Sequence, residues 1–175
     1  KGVLVPQRAL AAHARAATAM LALTSLDRVL QFASPSFDVY LEEVIPTLTC
    51  GARVVVRDDA SASSAARLLA LVERHAITVL QLPTAYFHEL THHLARGGRS
   101  IPGSVRVVVT GGERISRAAC ERFRIAAPEL RLLNAYGPTE VTITSTCFEL
   151  PSVVPATIPI GRPTGACRAH VVDRW

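Results

Sequence analysis

Residues 78–112 read TVLQLPTAYFHELTHHLARGGRSIPGSVRVVVTGG. TVLQL is a short apolar run of strand length. PTAYFHELTHHLARGG then opens with Pro83, suited to a first helical turn, and closes on Gly97 and Gly98. VRVVVTGG follows as a second apolar strand. The stretch is therefore a strand–helix–strand unit.

Outward from it the alternation continues. Upstream, PQRALAAHARAATAMLAL has helical spacing, RVLQFAS reads as a strand, and FDVYLEEVIPTLTCGA as a helix ending near Gly51. Pro46 predicts a kink or break in that helix. RVVV is a buried strand and SSAARLLALVERHA an amphipathic helix; downstream, SRAACERFRIAA is a helix and LRLLNAYG a strand. Short apolar strands alternating with helices predict an α/β fold with a largely parallel sheet. Such sheets bind ligands beyond the carboxyl ends of their strands. Those ends are FASPSFD, LQLP, VTGGE and NAYGPTE, which hold most of the glycines and small polar residues.

Composition narrows the function. The chain has 175 residues, 49% hydrophobic and 19% charged, enough for one folded domain with a core. The net charge is +5, but its carriers are Lys1 and scattered arginines, with few aromatics, which argues against a nucleic-acid surface. No apolar run is long enough for a membrane span. The opening KGVLVPQ has neither Met nor a leader pattern, so the expectation is a cytoplasmic fragment of something longer. Cys50, Cys120, Cys147 and Cys167 show no CxxC spacing and are expected to be buried, reduced thiols.

HELTH at 88–92 matches the helical pattern of a zinc metallopeptidase, with His88 and His92 four apart. Such a helix must aim both imidazoles at a shielded metal with a third ligand. Here Tyr86, Phe87, Leu90 and Leu94 form the apolar stripe, and the histidines fall roughly opposite it, on an expected solvated face. No spacing recommends Glu113, Glu121 or His170 as the third ligand, and zinc hydrolysis stays a remote alternative.

LLNAYGPTEVT carries more. After an apolar strand, Tyr136 offers a flat face for a purine and Asn134 a partner for an exocyclic amine. Thr139 supplies a hydroxyl beside backbone N–H groups for phosphate, and Glu140 a hard oxygen for Mg²⁺. An ordinary strand–turn junction, with Glu140 as a first-turn acid, accounts for the stretch equally well by itself.

The stretch does not stand by itself. NAYGPTE, with PIGRP at 159–163, resembles the adenylation domains of nonribosomal peptide synthetases, within the adenylate-forming superfamily of acyl- and aryl-CoA synthetases and luciferases. KGV at the start is similar to the end of that family's phosphate loop. FASPSFD resembles its aromatic–Asp element, TGGE its adenine-side loop, and VVD at 171–173 the approach to its next motif. The resemblance covers essentially residues 1–175, as part of the large N-terminal subdomain.

The resemblance implies activation of an amino acid carboxylate by ATP and Mg²⁺, giving aminoacyl-AMP and pyrophosphate. The acyl group then passes to phosphopantetheine on a carrier domain, with a condensation domain as a further partner. Positions matching Gly111, Gly112, Asn134, Tyr136 and Gly137 surround the adenine, while Thr139 and Glu140 handle phosphate and Mg²⁺ as the catalytic pair. Asp38 matches the acid that pairs with the substrate α-amino group, although by its residue type alone it reads as a helix N-terminal acid or cap.

The substrate side-chain pocket, by the same resemblance, is lined by Val39, Glu42, Gln81 and Val109, with Gly111, Ala135, Ile143 and Thr144. Gly111 implies room for a long substrate. Glu42 and Gln81 lean towards ornithine, lysine, arginine or another polar side chain. Glu42 reads equally as a first-turn acid pointing away, and both readings stay open. Tyr40 departs from the small residue usual in the family. The phosphate loop upstream of Lys1 and the C-terminal subdomain, with its reacting Lys, are not in this sequence, so the segment is not expected to adenylate alone. A CoA ligase of the same superfamily and a non-catalytic nucleotide-binding remnant are the rival expectations.

Overall fold

The computed structural model describes residues 2–173, so Lys1 of the KGV match lies outside it. The described chain runs α1 (Gln7–Leu21), β1 (Arg28–Gln31), α2 (Val39–Thr49), β2 (Arg53–Val56), α3 (Ala65–His75), β3 (Val79–Pro83) and α4 (Thr84–Ala95). It continues through β4 (Val107–Gly111), α5 (Arg117–Ala126), β5 (Arg131–Tyr136), β6 (Thr146–Glu149) and β7 (Arg162–Pro163). The α/β expectation is met.

Local chemistry sets the element ends. The Pro6 carbonyl accepts from the N–H groups of Ala9 and Leu10 to start α1. Ser64 Oγ accepts from the Arg67 N–H to start α3. Both α1 and α3 end on an alanine in the left-handed region, Ala22 and Ala76, each with φ 48°. Each donates its N–H back into the last turn, as a terminal glycine usually does.

The sheet order is β2-β1-β3-β4-β5-β6-β7. β2 through β5 pair in parallel, and β6 and β7 extend the edge in antiparallel fashion. On one face α3, α4 and α5 bury Leu68, Phe87, Leu90 and Phe123 against Leu30, Leu80, Val108 and Leu132. On the other, Leu21 of α1 packs with Val29, Val79, Val107, Val109 and Leu133. Because β1 has β2 on one side and β3 on the other, the strand order reverses between β1 and β3. Binding crevices form at such a switch point, beyond the strand carboxyl ends. No helix among the described residues is long and apolar enough to cross a membrane.

Five expectations are corrected. RVVV, expected to be buried, is the edge strand β2, with Val54 and Val55 half-buried and Arg53 and Val56 exposed. α2 runs unbroken through Pro46, whose burial offsets the one bond to the Glu42 carbonyl that a proline cannot donate. The RVLQFAS strand stops at Gln31, because a side chain of α2 takes the next two backbone N–H groups. β6 and β7 were not foreseen: four and two residues long, they are strands only because β5 offers a free edge. Finally, all four cysteines are free thiols, but Cys167 is exposed, in the stretch after β7 where little packs; Cys50 and Cys147 are half-buried.

Candidate active site

Register assembles the first part of the site. Gln81 lies beside Val109, and Val109 beside Leu133, while Gly111 lies beside Ala135 and Ala135 beside Cys147. Side chains two apart on a strand share a face, so both rows belong to the α1–α2 side of the sheet, where Val109, Leu133, Ala135 and Cys147 cluster. Gln81, Val109, Gly111 and Ala135 are thereby brought together. Gln81 is buried, and its amide nitrogen has no hydrogen-bond partner among the described residues. Such an atom is costly to leave unsatisfied and suits a ligand acceptor.

Gly111 has a different explanation from room for the substrate. A Cβ there would come within 2.4 Å of the Ala135 carbonyl oxygen, so the neighbouring backbone requires glycine. Ile143 and Thr144 are buried in the β5–β6 connection, where the Thr164 hydroxyl donates to the Thr144 carbonyl. Val39 sits at the exposed start of α2.

Glu42 is 2% exposed, which removes the outward-pointing reading. Its Oε2 lies 2.7 Å from Nε2 of His13 on α1, itself 8% exposed. Across the same face, burial first and then the Glu42 charge push the Cys147 thiol up to about 11. His13 is a residue the sequence analysis missed. The available signal was the i, i+4, i+8 stripe His13, Ala17, Leu21, which is the buried face of α1.

Neighbouring Glu43 does a different job. Its fully buried carboxylate accepts from the Phe32 N–H at 3.0 Å and the Ala33 N–H at 3.1 Å. This ends β1 and ties the SPSFD turn to α2. Asp38, at the last residue before α2, has no side-chain bond to the helix N-terminus. The capping role its residue type suggested is not what it does. Asp38 stands at the switch point, half-buried; Tyr40, two residues on, is also half-buried.

The residues that the resemblance assigns to the nucleotide gather at the carboxyl ends of β4 and β5. Tyr136 is 49% exposed, although Leu132 and Asn134 before it on the same side of β5 are buried. Asn134 Nδ2 donates to the Pro159 carbonyl at 2.9 Å, which fastens PIGRP to the strand and leaves the Oδ1 end as the acceptor. Gly137 permits a close return of the chain, since a Cβ would meet the Ile143 carbonyl oxygen. Thr139 and Glu140 open a single 3₁₀ turn directly after, with Glu140 exposed at its start. Thr84 Oγ1, buried, reaches the carbonyls of Gly111 and Glu113 at 2.9 and 3.2 Å and so steadies the TGGE loop. Gly112 has φ +91°, and a side chain there would project into open space. An exposed ring, a glycine loop beside it and an adjacent hydroxyl and carboxylate suit a nucleotide with its Mg²⁺.

HELTH is committed elsewhere. His88 is half-buried rather than solvated, and its Nε2 accepts from the Ser116 N–H at the start of α5 at 3.1 Å. Burial, then the charges of Arg122 and His92, keep its pKa below the usual imidazole range, in keeping with a neutral acceptor. His92 is exposed beside Arg122. Among the described residues no three His, Cys, Asp or Glu side chains are grouped as a metal site.

Residues 1–175 match the family model described as AMP-binding enzyme. The chain belongs to the AMP-binding enzyme family. Similar to this AMP-binding chain is the isonitrile lipopeptide synthase of Streptomyces coeruleorubidus, 44% identical over 99% of the chain and 12% of that protein. The phosphinothricin tripeptide synthetase PhsC of Streptomyces viridochromogenes is 37% identical over 99% of the chain and 15% of its own length. The nonribosomal peptide synthetase FmoA3, in its alpha-methyl-L-serine-AMP bound form, superposes with a TM-score of 0.89 at 28% identity, covering 99% of this chain and 20% of that one. The AMP-binding chain thus spans a small part of the relatives it matches.

Proposed function

We propose that these residues carry the amino-acid pocket and the adenine side of the nucleotide site of an amino-acid-adenylating ligase in nonribosomal peptide synthesis. The observation that carries this reading is Asp38, an acid at the switch point that does not cap its helix. An ammonium entering a dry pocket needs such a counter-ion. An acyl or aryl substrate, as in a CoA ligase, has no ammonium to pair, so the acid favours the amino acid.

In this reading the substrate carboxylate attacks the α-phosphate of ATP, forming aminoacyl-AMP and releasing pyrophosphate. Asp38 holds the α-amino group, while Tyr136 and the Asn134 oxygen, with Gly111 and Gly112, hold the adenine. Thr139 and Glu140 face the phosphates, with Glu140 as the Mg²⁺ carboxylate; the ion, when bound, neutralises phosphate charge. The chemistry asks mainly for positioning and charge neutralisation. Val39, Glu42, Gln81, Val109, Ala135, Ile143 and Thr144 line the side-chain pocket. The acyl group then passes to a phosphopantetheine thiol on a carrier domain of the same cytoplasmic assembly line, the thioester forming as the acyl–phosphate bond breaks and AMP leaves, ahead of a condensation domain. The coverage of 12% and 15% of long synthetases supports reading residues 1–175 as part of a larger adenylation domain. Its phosphate loop and C-terminal subdomain would lie outside them.

The test is amino-acid-dependent ATP–pyrophosphate exchange by the complete domain, across the common amino acids plus ornithine. Exchange with one of them, abolished by Asp38→Ala, is the expected result. A folded domain that binds ATP yet exchanges with no amino acid would transfer the reading to a carboxylate–CoA ligase.

A further inference from the structure

The residue facing Glu42 belongs to α1, outside every position that the family resemblance assigns to the pocket. His13 and Glu42 meet at 2.7 Å in the interior, 8% and 2% exposed. A carboxylate so far from water needs a charged neighbour, and His13 Nε2 stands at ion-pair distance from Oε2, although neither atom completes a hydrogen bond among the described residues. On the same face of the sheet, Gln81 keeps a buried amide nitrogen without a partner. Gln81 and Cys147 face this side by strand register, and Glu42 reaches it at His13 of α1, the helix that packs there. Two demands are thus open on this face: the Glu42 carboxylate can accept from a donor, and the Gln81 amide nitrogen can donate to an acceptor.

We infer that His13 is a specificity-determining residue of the site. It holds the Glu42 carboxylate in place so that Glu42 can anchor a substrate side chain that donates a hydrogen bond. The inference rests on the amino-acid-adenylating reading above. His13 does not touch the substrate; it is a positioning residue acting through Glu42. An ammonium or guanidinium is the strongest donor class for a carboxylate held in this way, ahead of a hydroxyl or amide. The second pocket helix is thereby locked to the first, so the register of α1 against α2 becomes part of substrate selection. An apolar side chain in the same place would leave the buried carboxylate without a donor.

The experiment is pyrophosphate exchange by the complete domain with ornithine, lysine, arginine, glutamine, serine and leucine, for the wild type, His13→Ala, His13→Gln, Glu42→Gln and the His13→Ala/Glu42→Gln double variant. The wild type is expected to prefer a donor side chain. His13→Ala should raise KM for that amino acid about tenfold or more, with KM for ATP and the maximal rate little changed. His13→Gln, which keeps an N–H, should recover part of the loss. In the Glu42→Gln background His13→Ala should add little, because the two act as one unit. A preference for leucine would overturn the inference. So would an equal fall in rate for every amino acid, or independent effects of the two substitutions, since either is what a purely structural contact produces. If His13→Ala does not fold, His13→Gln against Glu42→Gln decides the same question. Exchange with no amino acid at all would instead be a failure of the proposed function.

Discussion

Arg106 at the entry to β4 lays its guanidinium along Asp27 at the entry to β1, Nε to Oδ1 at 2.8 Å and Nη2 to Oδ2 at 2.9 Å. Asp27 also accepts from the Thr78 hydroxyl at 2.7 Å and the Thr24 N–H at 2.8 Å, and Arg106 donates onward to the Leu21 and Ala22 carbonyls. One ion pair thus binds the end of α1 to the starts of three strands, at the amino ends of the parallel strands. Burial pushes the Asp27 carboxyl up, but the Arg106, Thr78 and Thr24 hydrogen bonds and the Arg106 charge outweigh it and hold it at about 2. Its folded pKa lies below the unfolded value of 3.8, so its stabilisation is complete above that value and is lost as pH falls through about 2. Asp27→Asn should cost on the order of 2 kcal/mol at neutral pH and leave KM values unchanged. Denaturant melts of the complete domain check this; a neutral substitution, or a changed KM, would show that the pair does something else.

Gly111→Ala is expected to cost about 1–3 kcal/mol and to lower exchange for every amino acid, because the new methyl meets a backbone carbonyl that cannot move aside cheaply. A variant of unchanged stability that merely prefers shorter substrates would restore substrate room as the reason for this glycine.

Glu43 predicts a pH dependence of opposite sign. Burial raises its pKa to about 7, with the Glu42 charge adding, against the Ala33, Phe32 and Gln31 donors. The folded value is above the unfolded 4.5, so this contribution is fully present below pH 4.5 and lost as pH rises through about 7. Relative to Glu43→Gln, the wild type should lose on the order of 3 kcal/mol across that window. Parallel unfolding curves for the two proteins from pH 4 to pH 8 would refute the burial argument.

His88→Ala should leave the Ser116 N–H without its acceptor and destabilise the domain by about 1 kcal/mol. Metal analysis of both proteins gives the second readout. Stoichiometric zinc in the wild type that disappears from the variant would reinstate the HELTH hydrolase reading.

Much of this was legible in one dimension. TVLQL and VRVVV carry their strand character in consecutive apolar residues, and the helices carry theirs in spacing, because burial on two faces or one leaves that trace; RVVV reads the same way yet lies at the sheet edge with Val56 exposed. NAYGPTE was legible as a strand end with a ring, a hydroxyl and a carboxylate beyond it. TCFE at 146–149 left no such trace, since a four-residue edge strand is made by its partner's unpaired backbone groups.

The order of the helices and of β1 to β5, and the family, were determined by the sequence alone, through periodicity and contiguous motifs. Tertiary structure decided the rest. It divided Glu42 from Glu43, adjacent in sequence, into a carboxylate facing His13 and one that ends β1. It gave Gly111 a backbone reason and freed Asp38 from capping. His13 and Glu42 are 29 positions apart (42 − 13) and share no motif, so only the packing of α1 on α2 brings them within 2.7 Å. Sequence records what each segment must bury; which polar groups meet inside depends on how those buried faces are laid together.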